Sequence, residues 1–317
     1  MSGLALVAEC NKKVGSGHAV VTRNLVDLLT SVECRAYLTK GTPRRILNSF
    51  RRRPKTIPDL AVGTLMSVAV DARSRGLKAA VLNALQVTPA MVKALKSGGL
   101  KVVALSVNRN VPGADMSLTM GPSNMILSPA ISALAAKPRS HRGPVKNLMI
   151  LMGGTDSSGS TARLVRVLAG RLPGVRKSVI AGPNFARFAE LHRALTSAKD
   201  RSFVLFRSPK NLPVLMSRVD AAITLGSNTS LELACAGTPM ILMEEAPHER
   251  RLARLLARKG CGLFAGSQRE ATSERVLAAL KRLDDPALRA RMARVGRSVV
   301  NGRGAERLAA KLRKLSA

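Results

Sequence analysis

Two short glycine- and serine-rich stretches hold the side chains best suited to chemistry in this chain. The first is Gly15-Ser16-Gly17-His18, behind the apolar run at 4–8 and ahead of a helical pattern. The second is Gly226-Ser227-Asn228-Thr229-Ser230-Leu231-Glu232, behind the apolar run at 221–225 and again ahead of a helical pattern. A strand that turns through glycine into a helix leaves backbone N–H groups free, and the helix dipole there favours negative charge. Gly15 and Gly17 allow close backbone approach, as they would in an ordinary strand-to-helix turn. The groups of Ser227, Asn228, Thr229 and Ser230 suit an anion and suit helix capping equally well. His18 adds an ionisable group. A helix start disfavours imidazolium, so its ring is expected to be neutral at neutral pH. A neutral ring can take a proton from an attacking water or hydroxyl, or can simply hydrogen-bond a ligand.

Other candidates are weaker alone. Gly153, Gly154 and Thr155 follow the apolar run at 148–152 and are placed on a second lip of the same kind. Asp156 reads as the cap of the next helix. Asp71 ends a strand read at 67–71, and ligands in parallel sheets bind beyond the carboxyl ends of strands. A solvated turn carboxylate is its alternative. His141 and His192 are given no role. The four cysteines, Cys10, Cys34, Cys235 and Cys261, lack CxxC spacing, and the 19 carboxylates do not pair with histidine at ligand spacing. No metal and no cofactor are expected.

These loops need a scaffold, and the apolar pattern supplies one. Strands are read at 4–8, 35–39, 67–71, 101–107 and 116–120, with helices at 19–30 and 88–97. The stretch 136–146, with Pro138, Gly143 and Pro144 among basic residues, reads as a linker. Alternation restarts at 148–152, 177–181, 203–206, 221–225 and 239–243, interleaved with helices at 161–172, 185–197, 211–218, 231–236 and 250–259. A helical tail spans 271–315, broken at 301–304. Strands alternating with helices predict parallel βαβ units in an α/β, doubly wound class.

Composition bounds the partners. The 317 residues are 46% hydrophobic but only 2% aromatic, with no Trp, so the core must be aliphatic. The net charge of +33 suggests polyanions: nucleic acid, an anionic membrane surface or acidic glycans. A basic solvated surface accounts for it equally well. Scarce aromatics argue against base stacking. The cysteine usage and an N-terminus without a secretory pattern lead to the expectation of a cytoplasmic protein. No apolar run approaches the ~20 residues that span a bilayer.

A set of motifs in order now adds to these readings. They are Gly15-Ser16-Gly17-His18, then Gly121-Pro122-Ser123-Asn124 through Pro129, then Gly153-Gly154-Thr155-Asp156. Asp220-Ala221-Ala222-Ile223 leads into Ser227–Glu232, followed by Ala236-Gly237-Thr238-Pro239 and Asn301-Gly302-Arg303-Gly304-Ala305. With these, nearly the whole chain resembles the nucleotide-sugar hydrolases of the pseudaminic acid pathway and their spore-coat polysaccharide relatives. Those belong with the GT-B glycosyltransferases that use UDP-sugars. The resemblance implies two Rossmann-like domains facing a cleft: an N-terminal domain at 1–136, a linker at 137–146, and a nucleotide-binding domain with C-terminal helices at 147–317. It implies release of UDP and a free amino- or deoxy-sugar, with His18 as general base. It also implies ribose binding by Glu232, where a first-turn Glu that offsets the helix dipole is the alternative, and a ligand contact near His248, for which a surface histidine is an equal reading. The family pattern continues from its His through two residues to an Arg, where this chain has Val21. A UDP-sugar glycosyltransferase of cell-surface polysaccharide synthesis is the alternative. A polyanion-binding protein on an inactive scaffold is the third reading.

Overall fold

The computed structural model describes residues 3–11, 17–106, 110–137, 139–182, 185–245, 247–267 and 273–316. The chain divides into two compact units. Unit 1 comprises Met1–Pro129 and Arg303–Ala317, and unit 2 comprises Ala130–Gly302.

Unit 1 runs β1 (Gly3–Ala8), α1 (Gly17–Leu28), β2 (Cys34–Thr39), α2 (Arg44–Leu47), β3 (Lys55–Ile57), α3 (Val62–Ser74), β4 (Leu77–Asn83), α4 (Pro89–Lys96), β5 (Lys101–Ser106) and β6 (Met116–Thr119). Its sheet is parallel, in the order β3-β2-β1-β4-β5-β6. The short helix α5 (Pro129–Ser132) spans the division, its residues from Ala130 onward opening unit 2. That unit continues with β7 (Asn147–Leu151), α6 (Ser160–Leu168), β8 (Arg176–Ala181), α7 (Phe188–Ala198), β9 (Phe203–Arg207) and α8 (Leu212–Arg218). Then come β10 (Ala221–Leu225), α9 (Asn228–Cys235), β11 (Met240–Glu244), α10 (Pro247–Arg258), β12 (Gly262–Ser267), α11 (Ser273–Arg282) and α12 (Pro286–Val299). Its parallel sheet has the order β12-β11-β10-β7-β8-β9.

Strands covered on both faces read as continuous apolar runs, and β1, β10 and β11 are buried at every residue. Along β2 the two faces separate with period two. Ala36 and Leu38 pack with Ala19 of α1, whereas Tyr37 packs with Leu65, Val68 and Ala69 of α3. The cores are aliphatic, as the composition requires.

Three differences from the sequence reading matter. Residues 67–71 are not a strand but lie inside α3, whose buried side is Leu65, Val68, Ala69 and Ala72. That spacing of three and four is the helical period, and five residues were too short a window to separate it from alternation. The strand slot belongs to β4, which the reading left unassigned, as it did β3 and β12. The segment 139–145 is tied down within unit 2. The Arg139 guanidinium donates to the Met216 carbonyl at 3.3 Å, to Thr238 Oγ1 at 2.6 Å and to the Val219 carbonyl, and Val145 N–H donates to Asp284. Finally, the last helix, α13 (Gly304–Ser316), belongs to unit 1. Gly304 sits so close to the backbone of Asn124 and Met125 that a Cβ would overlap it. Among the described residues, no helix is long and apolar enough to cross a membrane.

Candidate functional site

Each sheet reverses its winding once. In unit 1 the chain builds outward from β1 through β2 to β3, then returns to lay β4 on the other side of β1. In unit 2 it builds from β7 through β8 to β9, then returns to lay β10 beside β7. Loops leaving the two strands at such a reversal diverge, and a crevice opens between them. The loop into His18 leaves β1, and the loop into Ser227 leaves β10.

In unit 1, His18 is the second residue of α1 and is half-buried. Its carbonyl accepts a hydrogen bond from Asn83 Nδ2 at 3.0 Å, and the same amide donates to Thr22 Oγ1 at 3.2 Å. Asn83 ends β4, so it fastens that strand to the first turn of α1 across the reversal. Glu9, just beyond β1, donates its N–H to the Asn83 carbonyl, and its carboxylate accepts from Leu85 N–H at 3.3 Å. The His18 pKa is lowered. Burial disfavours the charged ring, and the nearby Glu9 carboxylate opposes that less strongly. The ring is therefore neutral at neutral pH. His18 Nδ1 is buried and has no hydrogen-bond partner among the described residues. Val21, where the resembled pattern carries Arg, is 4% exposed and faces the core. Gly15 and Ser16 lie outside the described residues.

In unit 2, Gly226 is wedged against α10: a Cβ would stand 2.7 Å from Ala253 N and overlap the Glu249 carbonyl. This contact brings Ser227 to the N-cap of α9. Ser227 Oγ is buried with no partner among the described residues. Asn228 is exposed and Thr229 half-buried at the mouth of the helix. Ser230 does not reach that rim: it is fully buried, and its hydroxyl donates back to the Ser227 carbonyl at 2.6 Å. Glu232, half-buried in the next turn, raises the pKa of the Cys235 thiol, adding to the larger effect of burial.

The loop after β7 lies beside it. Gly153 has φ +78° and packs toward Leu225 at the end of β10. Gly154 is exposed, and its backbone lies so close beneath Gly182 that a Cβ on Gly182 would stand 2.6 Å from the Gly154 carbonyl. Thr155 accepts from Ala186 N–H. Asp156 is a cap: its carboxylate accepts from Ser160 N–H at 2.8 Å and Thr161 N–H at 3.0 Å, at the start of α6. Ser157 Oγ reaches Glu245 Oε1 at 3.1 Å, joining this loop to the one after β11. The loops after β7, β10 and β11 thus form one rim at the carboxyl edge of the sheet.

Asp71 is elsewhere. It lies on α3, where Tyr37 Oη donates to it at 2.6 Å and Lys55 and Arg75 pair with it. These partners hold its carboxyl well below the usual range despite opposing desolvation. It is committed to tying α3 to β2 and β3 and borders no reversal crevice. His248 is the second residue of α10, and its side chain lies outside the described residues.

Three groups were missed. Asn83 and Glu9 flank the His18 crevice, and Glu244 ends β11. Glu244 is 3% exposed; its Oε1 accepts from Arg250 Nε at 2.6 Å, and its Oε2 has no partner among the described residues. Each is a polar residue closing or following an apolar run, the available signal. It was not readable for Asn83 while 77–83 went unrecognised as a strand.

No family model matches the chain. It is 24% identical over 199 residues to the spore coat polysaccharide biosynthesis protein SpsG of Bacillus subtilis, covering 62% of this chain and 58% of that protein. The chain therefore spans less than two thirds of that relative's length. An uncharacterized protein of Methanocaldococcus jannaschii, MJ1062, is 26% identical over 113 residues, 35% of this chain and 23% of that one. Among solved structures, MurG of Acinetobacter baumannii superposes with a TM-score of 0.71 at 15% identity, covering 98% of this chain and 99% of that one. A UDP-GlcNAc 2-epimerase from Neisseria meningitidis, bound to UDP-GlcNAc, gives 0.63 at 13% identity, covering 98% of this chain and 100% of that one. The chain has the two-domain α/β fold of GT-B glycosyltransferase structures.

Proposed function

We propose that this protein is a nucleotide-sugar-dependent glycosyltransferase acting in polysaccharide synthesis, with UDP-sugar as donor. The observation that carries it is the rim of unit 2. There an eight-residue helix is capped by a buried Ser227 hydroxyl, unpartnered among the described residues, beside a Gly153-Gly154 loop, at the reversal of a parallel sheet. A diphosphate suits that arrangement. It would accept from N–H groups at the start of α9 and from Ser227, and the helix dipole would offset its charge. Glu232 would accept from the ribose hydroxyls. The resemblance to SpsG, named for spore coat polysaccharide biosynthesis, and the fold likeness to MurG support transfer as the reaction class.

In the proposed reaction an acceptor hydroxyl attacks the anomeric carbon. The bond from that carbon to the diphosphate oxygen breaks, UDP departs with the electron pair, and the acceptor proton passes to the neutral His18. With water as acceptor the same residues give a hydrolase releasing UDP and a free sugar. Transfer is preferred because Val21, buried in the core, stands where the hydrolase pattern has its arginine. UDP and free sugar as the only products, with every hydroxyl acceptor tested, would reverse that preference.

Two expected results test the donor site. Calorimetry should find that Glu232→Ala binds UDP roughly tenfold or more weakly than wild type, since hydrogen bonds to a charged group contribute about 1.5–3 kcal/mol. Equal affinity of the two proteins would remove Glu232 from the site. Turnover should be unchanged by EDTA, because N–H groups and the helix dipole neutralise the diphosphate in this scheme; loss of rate that magnesium restores would contradict it.

A further inference from the structure

A cavity of about 540 Å³ lies in unit 1 at the opposite end of α1 from His18. That helix has 12 residues, so its two ends are roughly 18 Å apart at ~1.5 Å per residue. The cavity is remote from the reversal crevice, and no part of the proposed transfer uses it. Its volume falls in the range of small-molecule sites, about 300–1,000 Å³.

Its walls are of two kinds. Leu29, Val32, Ala36 and Phe50 are buried core residues and form an apolar floor. Arg51, Arg52 and Arg53 bring three guanidinium groups, with Arg35 on the bordering strand, against one lining carboxylate, Glu33. Arg51 is partly engaged by Asp27, 3.6 Å away. Arg52 and Arg53 are exposed and make no ion pair among the described residues. Arg35 Nε is buried and has no hydrogen-bond partner among the described residues. Cys34, also on the wall, stays a neutral thiol, its pKa pushed up to about 11 by burial and then by Glu33. The cavity also touches a strand edge. β3 pairs only with Tyr37–Thr39, so among the described residues Cys34–Ala36 have no strand neighbour on that side. The carboxyl end of α1 and Glu33 oppose an anion here; the guanidinium groups outnumber them.

We infer that this cavity is a second ligand site, for a soluble phosphomonoester whose phosphate meets the arginines and whose organic part covers the apolar floor. Guanidinium forks match phosphate oxygens, and the floor and volume call for more than an inorganic ion.

The rival explanation is diffuse attraction to a chain of charge +33. A second depression, of about 480 Å³ in unit 2, serves as control because Arg254, Arg275 and Arg282 line it. Phenyl phosphate is titrated into wild type, Arg52→Ala/Arg53→Ala and Arg254→Ala/Arg282→Ala by calorimetry at physiological ionic strength. All four substituted arginines are exposed, so folding is spared. Saturable one-to-one binding is expected in wild type. It should weaken at least about tenfold in the first variant and hold in the second. The UDP affinity of the first variant should equal that of wild type, which separates this site from the donor site. Absence of saturable binding, or equal weakening in both double variants, overturns the inference. So does binding to phosphatidic acid vesicles that depends on Arg52 and Arg53 while phenyl phosphate shows none, which would assign the site to a lipid headgroup.

Discussion

His18→Ala is expected to lower kcat about 10²–10⁴-fold, the usual contribution of a positioned general base, while UDP affinity stays within about twofold of wild type. The reasoning starts from burial. The ring sits at the start of α1, half-buried, with Nδ1 unpartnered among the described residues and a lowered pKa. A base must be unprotonated to work, so kcat/KM should fall with acid through a midpoint below the ordinary histidine value of about 6.5. The stability consequence has the same origin. Between the lowered pKa and ~6.5 the unfolded chain binds more protons than the folded one, so stability rises with pH there. Relative to His18→Gln, wild type should lose thermal stability as pH drops below ~6.5, and the difference between the two should stay constant with pH above it. A kcat for His18→Ala within threefold of wild type would remove the residue from catalysis. An acid midpoint above 6.5 would contradict the burial argument.

Gly226→Ala is expected to be the most damaging single methyl on the donor rim. Its Cβ would overlap the Glu249 carbonyl and stand 2.7 Å from Ala253 N and 2.8 Å from Ala253 Cβ. Two of these are backbone atoms of α10, so no side chain can swing aside. Either α10 moves off β10 or the turn into α9 opens. Overpacking of this kind costs about 1–3 kcal/mol, sometimes more, and at ~2–4 °C per kcal/mol for a unit of this size the melting temperature should drop by roughly 5 °C or more. Because Gly226 also sets Ser227 at the N-cap, UDP binding should weaken in the same variant. Gly154→Ala is the matched control. Its Cβ meets nothing within 4 Å, so the melting temperature should hold within about 1 °C, surface changes costing under ~0.5 kcal/mol. If both variants melt with wild type, the wedge of Gly226 under α10 is not a determinant of the rim.

The two positions differ in how legible they were. Gly226 stands out in the sequence only as one glycine between an apolar run and a serine-rich helix start. That pattern locates the turn, but the demand for glycine comes from α10, more than twenty residues further on. His18 is similar. Its place at a helix start follows from Gly17 and the apolar pattern behind it, whereas its neutrality depends on burial that outweighs the opposing Glu9 carboxylate, and its seat depends on Asn83 arriving from β4 to hold its carbonyl.

What the sequence determined by itself was the class of fold and the two loops. Apolar runs of strand length alternate with helical periods, and that order admits few arrangements besides parallel sheets wound in two directions. Glycine and serine between a strand and a helix mark the turns wherever they fall. The tertiary structure decided what those local signals leave open. It took Asp71 out of a strand and set it between Tyr37, Lys55 and Arg75, because a five-residue apolar pattern fits either period and only packing on β2 and β3 selects the helix. It turned Ser230 inward and left Ser227 at the rim, a difference between neighbours of like chemistry that depends on the phase of α9. It returned α13 to the first unit, where Gly304 meets the backbone of Asn124 and Met125. Periodicity is a property of adjacent residues and survives in the linear text. Partnership between residues far apart in the chain has no such trace, since it exists only after both segments have found the same place in the fold.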